Sequence, residues 1–170
     1  MKQERSFIVD ALFVLALFGV FAVSAFVLIT IGADVYQHTV QDMTSNYETR
    51  TAVSYITEKV RQNDTSVSAT ETAASIGTLN GTRALKLAQE IDGQLYYTYL
   101  YLYDGHLKEL FTQRYDSLGG NALEAGVNIM ELDDFKIEQA ASGLLSVEVT
   151  TAHGNPYQFY ISTHSQNAEN

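Results

Sequence analysis

Residues 11–31 form a run of 21 residues without a charge, rich in Phe, Leu, Val and Ala. As a helix rising about 1.5 Å per residue it would be about 32 Å long, close to the roughly 30 Å hydrocarbon core of a bilayer. Val23-Ser24-Ala25 is compatible with signal-peptide cleavage, and Lys2 and Arg5 make a short basic start. The apolar run continues through Phe26-Val27-Leu28-Ile29, beyond the usual h-region length, which favours a retained anchor. The 46% hydrophobic and 18% charged averages therefore describe no uniform domain. They mix a membrane segment with a more polar remainder.

Charge divides along the same line. Lys2 and Arg5 balance Glu4 and Asp10, so the net charge of −10 belongs wholly to residues 34–170, with 8 basic and 18 acidic side chains. Basic residues on the short N-terminal side predict a cytoplasmic N-terminus, with the C-terminal domain outside the cytoplasm. So acidic a domain is expected to make no direct contact with nucleic acid. The absence of cysteine excludes disulfides, thiol nucleophiles and Cys-based zinc sites.

Three segments follow: 1–33, cytoplasmic N-terminus and transmembrane helix; 34–64, an amphipathic helix continuing from the membrane; and 65–170, an extracytoplasmic antiparallel β domain. No Pro or Gly interrupts residues 33–60. Tyr36, Val40, Met43 and Tyr47 recur on one helical face, and Val53, Ile56 and Val60 on another. The upper stripe calls for a neighbouring subunit or lipid headgroups, the lower one for the protein's own sheet. Residues 65–81 read as a Ser/Thr/Ala-rich loop, with a short helix around 71–76.

Asp92-Gly93 and Asp104-Gly105 are hairpin signals beside alternating apolar residues. As two-residue loops they set Ile91 opposite Gln94 and Tyr103 opposite His106, giving a three-strand meander. One face then collects Leu85, Leu87, Ile91, Tyr96, Leu100, Leu102, Leu107 and Phe111, with Gln89, Gln94, Thr98 and Glu109 as misfits there and Leu95 and Leu110 as misfits on the other. The other collects Tyr97, Tyr99, Tyr101 and Tyr103 with Lys86 and Lys108. Residues 114–126 read as a loop, and further strands are expected around 135–137, 145–149 and 159–161, about six in all. The fold class is α+β, the long N-terminal helix covering one face of an antiparallel sheet.

No catalytic or cofactor motif emerges. His38, His106, His153 and His164 lack metal-ligand spacing, and H-E-x-x-H, G-x-S-x-G and the P-loop are absent. Glu131, Asp133 and Asp134 lack the D-x-D-x-D-G pattern of a calcium loop and read as a solvated acidic turn. The expectation is a non-enzyme without metal or cofactor. Tyr97, Tyr99, Tyr101 and Tyr103 fit an interaction face, since tyrosine is enriched at interfaces. They equally fit the strand propensity of tyrosine, with the row partly covered by the 113–126 loop. Asp10 has two readings: an interfacial charge at a helix N-terminus, or the partner of a cation such as an N-terminal amine on a neighbouring helix.

The sequence of a hydrophobic N-helix, an amphipathic continuation, a loop and a meander resembles the type IV pilin-like proteins. The nearest likeness is to competence-type minor pseudopilins (ComGF-like) and related Firmicutes families. The residues carrying it are Tyr99-Leu100-Tyr101-Leu102-Tyr103-Asp104-Gly105-His106-Leu107-Lys108, Asp134-Phe135-Lys136-Ile137 and Gly143-Leu144-Leu145-Ser146-Val147-Glu148-Val149. The family carries a glycine before its cleavage point and a glutamate five residues into the mature chain. Here Arg5-Ser6-Phe7-Ile8-Val9-Asp10 stands in that place, Arg5 for the glycine and Asp10 for the glutamate. The resemblance implies assembly through Phe7 and Asp10 with other pilin-like subunits and a membrane assembly platform, in a pilus, type II secretion or competence machine. A different class of function is a lone membrane-anchored binding or sensory domain with the tyrosine face as its ligand surface.

Overall fold

The computed structural model describes residues 2–63, 73–113, 121–152 and 154–163, with side chains from residue 8 onward. The chain divides into two compact units, Met1–Met43 and Thr44–Asn170. One helix, α1 (Lys2–Asn63), contributes to both. In the first unit it is the whole described structure, and almost every described side chain from residue 8 to residue 43 is exposed.

The second unit is built from the end of α1, eight strands and one short helix. A five-stranded antiparallel sheet runs in sequence order through β1 (Ala74–Leu79), β2 (Thr82–Ile91), β3 (Gln94–Tyr103), β4 (His106–Thr112) and β5 (Val127–Glu131). Helix α2 (Ala122–Ala125) precedes β5. A three-stranded sheet follows, with β6 (Asp134–Ala141), β7 (Leu144–Thr150) and β8 (Tyr157–Ser162) in order. The fold is α+β, as the patterning predicts.

The turns fix the register. Asp92 and Asp104 adopt left-handed backbone (φ 52° for each), followed by Gly93 (φ 77°) and Gly105 (φ 69°). Positive φ at both central residues defines the tight hairpin turn whose twist suits paired strands, and Asp-Gly accepts it at low cost. Ile91 accordingly pairs with Gln94 and Tyr103 with His106, and the meander has the expected register throughout. Asn80 (φ 47°) and Gly81 (φ 83°) make a third such turn, pairing Leu79 with Thr82. This corrects the reading of residues 74–81: Ala74–Leu79 is a strand where a loop and short helix were expected, and β5 is a further strand that the pattern left out.

One core joins α1 to both sheets within the second unit. Ala52, Ile56 and Val60, four residues apart along the helix, meet Leu85, Leu87, Leu100 and Leu107 of the first sheet. Ile137, Leu145, Val147, Val149 and Ile161 close it from the second. Full burial of such a side chain stabilises the fold by about 2 kcal/mol. The sheets are also tied through the backbone, with Leu132 N donating to Gly105 O at 3.0 Å and Asp133 N to Thr150 O at 2.8 Å. Arg83 adds a bond from Nη1 to Ile137 O at 3.3 Å.

The misfit Glu109 is met from the helix. Tyr55 Oη donates to its Oε2, and Lys59 Nζ to its Oε1 at 2.7 Å. Tyr55 and Lys59 are four residues apart and share a helical face. A partly buried carboxylate is thus satisfied on both oxygens, which its desolvation demands. Burial and the Glu109 carboxylate together push the Tyr55 hydroxyl pKa well above the usual phenol range.

Candidate functional site

Three regions bear on function, each within one unit. In the first unit an 18-residue stretch of α1 reaches a mean hydropathy of 2.9 with none of it buried. That exposure separates it from the core helix of a soluble domain. Its hydroxyls are satisfied inside the helix: Ser24 Oγ donates to Val20 O at 2.8 Å, and Thr30 Oγ1 to Phe26 O at 2.9 Å. Back-bonding of this kind leaves no donor facing hydrocarbon. The helix is long and apolar enough to cross a membrane once.

Asp10 lies on this helix and shares a face with Val14 and Phe18. Phe7 lies on α1, but its side chain is outside the described residues. Beyond the apolar run, Tyr36 (71% exposed) and Met43 are open, whereas Ile56 and Val60 in the second unit are fully buried. The two stripes read from the sequence therefore differ in kind: the lower one is satisfied within the chain, the upper one is not.

The second region is the tyrosine face of the five-stranded sheet. Its middle is closed: Tyr99 and Tyr101 are buried, packed with Leu79, Ala84, Leu110 and Ala122. Tyr101 Oη donates to Leu123 O at 3.1 Å and is 3.3 Å from Ala122 O, and burial raises its pKa. Lys108 Nζ reaches Glu124 O at 3.1 Å and stands 5.3 Å from the Tyr103 ring centroid. Its ammonium caps carbonyls left open at the end of α2, a favourable place for a cation. Lys86 Nζ lies 4.3 Å from the Tyr97 ring centroid. Of the two readings of the tyrosine row, partial cover holds at its centre, supplied by Ala122 and Leu123; residues 114–120 of the expected loop lie outside the described residues. Tyr97 and Tyr103 at the ends remain half-exposed.

The third region carried no signal in the sequence. Tyr47, Glu48 and Thr51 of α1 and Met130 and Glu131 of β5 enclose a groove of about 260 Å³. Residues 47–51 and 130–131 are distant in sequence, and only the tertiary fold brings them together. Of the acidic turn, Glu131 lines this groove and Asp134 pairs with Lys136 at 2.7 Å. Among the described residues no group of three His, Asp or Glu side chains is placed to hold a metal ion. His106 Nδ1 lies 2.7 Å from Asp104 O, while His153 and His164 are outside the described residues.

A family model, DUF4860 (a domain of unknown function), matches residues 47–152, more than half of the chain. The chain belongs to the DUF4860 family. The matched part begins on α1 at Tyr47 and ends after β7, so it takes in the five-stranded sheet, the tyrosine row and every residue of the groove. Asp10 and the apolar run lie before it. No curated protein and no solved structure matches the chain.

Proposed function

We propose that this DUF4860 protein is a single-pass structural subunit of a pilus-like machine, of the type IV pilus, type II secretion or competence kind. Its N-terminus is cytoplasmic, its sheet domain lies outside the cytoplasm, and it performs no catalysis. The observation that carries this reading is the division of α1: apolar over residues 11–31 and exposed almost throughout residues 8–43, with Ala52, Ile56 and Val60 buried against the protein's own sheets. A helix that is apolar on all sides takes its surroundings from lipid or from other helices. The cost of an unpaired carboxylate at the start of an apolar helix supports a pairing of Asp10 with a cation on a neighbouring subunit. The lone-sensor reading draws less support, because Tyr99 and Tyr101 offer no surface to a ligand.

In-cell crosslinking from the membrane helix should recover other pilin-like proteins. Asp10→Ala should abolish that recovery while the sheet domain keeps its abundance and melting temperature. Recovery of the chain alone, or unchanged partners in the Asp10→Ala variant, would sink the proposal.

A further inference from the structure

Strand β5 ends the five-stranded sheet, so among the described residues one edge of its backbone has no strand beside it. Exposed edges are ordinarily blunted by lysine, proline, inward charges, shortness or a bulge, and β5, short and with one register shift, uses only the last two. Strand β6 carries Lys136 and Glu138, and β8 is preceded by Pro156. Strand β5, Val-Asn-Ile-Met-Glu, has no lysine and no proline, and its Val127 is 68% exposed. A register shift opposite Leu107 and Lys108 sets Val127 against Glu109 and Met130 against Leu107. Both apolar side chains therefore lie on the face of Leu107 and Glu109, Met130 lining the groove beside α1 and Val127 open to solvent beyond it. Tyr47, itself 72% exposed, Glu48 and Thr51 form the other wall of the groove.

We propose that β5 and this groove receive an extended strand of another protein, basic and apolar in alternation. Added antiparallel or parallel to β5, such a strand satisfies the free backbone edge through main-chain hydrogen bonds. Alternate side chains then fall on the α1 side, where Val127, Met130 and Tyr47 supply apolar contact. The other alternate side chains fall on the opposite face, where Glu131, opposite His106 in the register, selects lysine or arginine, while Glu48 on the α1 wall adds negative charge to the groove; among the described residues neither carboxylate is ion-paired. A second copy of this chain is the wrong occupant on charge, since each copy carries −10 and like-charged surfaces repel. The site lies wholly in the second unit and does not depend on the assembly role of the membrane helix.

The test uses the full chain in neutral detergent with a labelled peptide of alternating valine and lysine. Saturable binding should slow amide exchange at residues 127–131, and a valine–glutamate peptide should not bind. Changing Glu48→Gln together with Glu131→Gln should weaken binding roughly five- to tenfold, as expected for two partly exposed charge interactions. The remote pair Glu90→Gln and Glu138→Gln should leave it unchanged. Equal weakening by the remote pair would mean that the peptide reads only overall acidity, and would overturn the site. So would peptide binding without protection of β5. Concentration-dependent protection of β5 by the protein alone would assign the edge to a second copy instead.

Discussion

The two ends of α1 obey the same helical geometry and differ in what surrounds them. Around residues 52–60 a single stripe, Ala52, Ile56 and Val60, is buried, while Ser54, Glu58 and Arg61 face outward. Over residues 8–31 apolar side chains point in every direction and none is buried. A stripe is the signature of a helix that finds its cover inside its own domain; apolarity on all sides is the signature of one that finds it elsewhere. Stability of the sheet domain should therefore depend on the first group and be indifferent to the second.

The widest contrast comes from removing one side chain at each end. Ile56→Ala leaves a cavity beneath both sheets and should destabilise the second unit by about 3 kcal/mol. Phe18→Ala removes a larger side chain yet should shift the same unfolding transition by less than about 0.5 kcal/mol. Denaturant titration of the full chain in detergent, followed by tyrosine fluorescence, measures both. Comparable losses would erase the distinction.

Glycines sharpen it at smaller amplitude. A Cβ on Gly126 would press into the Tyr101 hydroxyl and stand 3.2 Å from the Glu109 carbonyl oxygen, whereas one on Gly19 would meet nothing within 4 Å. Gly126→Ala should cost about 2 kcal/mol through overpacking behind the tyrosine face. Gly19→Ala should leave the melting of the sheet domain unchanged. Thermal melts followed by circular dichroism at the sheet band decide between these outcomes.

How much of this was legible in the sequence depends on whether the signal was local. The Asp-Gly turns were readable because the backbone they need, positive φ at two successive residues, restricts which residues serve; the register of β2, β3 and β4 then followed by counting. Asn80-Gly81 carries the same chemistry, but Ala74–Leu79 has Gly77 and small residues in place of clean alternation, so its strand was obscured. In β5 the register shift puts Val127 and Met130 three apart on one face, which breaks the period of two. The misfit Glu109 was visible on its face, but the partners that explain it, Tyr55 and Lys59, sit on another element. The groove was invisible because no local pattern joins residues 47–51 to 130–131.

The smallest contrast is in pH response. Below pH 10 Tyr55 holds its proton in both folded and unfolded chains, and its bond to Glu109 is intact. With the folded pKa raised from 10.0, first by burial and then by Glu109, the unfolded chain ionises first as pH rises further, and stability falls. Tyr55→Phe should cost about 1 kcal/mol near neutrality and flatten this alkaline decline. The counterpart on the exposed end is His38, outside the apolar run. Its pKa is raised from 6.5, chiefly by the Asp34 backbone carbonyl 2.9 Å from Nδ1, then by the Asp34 and Asp42 carboxylates. Whatever His38 contributes is fully present below pH 6.5 and is lost as pH rises through the raised value. Because the pair is fully exposed, salt should screen the carboxylate share. An NMR titration of His38 should show a pKa above 6.5 that falls part of the way back in Asp34→Asn, since the carbonyl remains. Tyr55→Phe should leave that titration untouched. A His38 value that follows the Tyr55 substitution would mean that the exposed and buried ends of the helix are not independent.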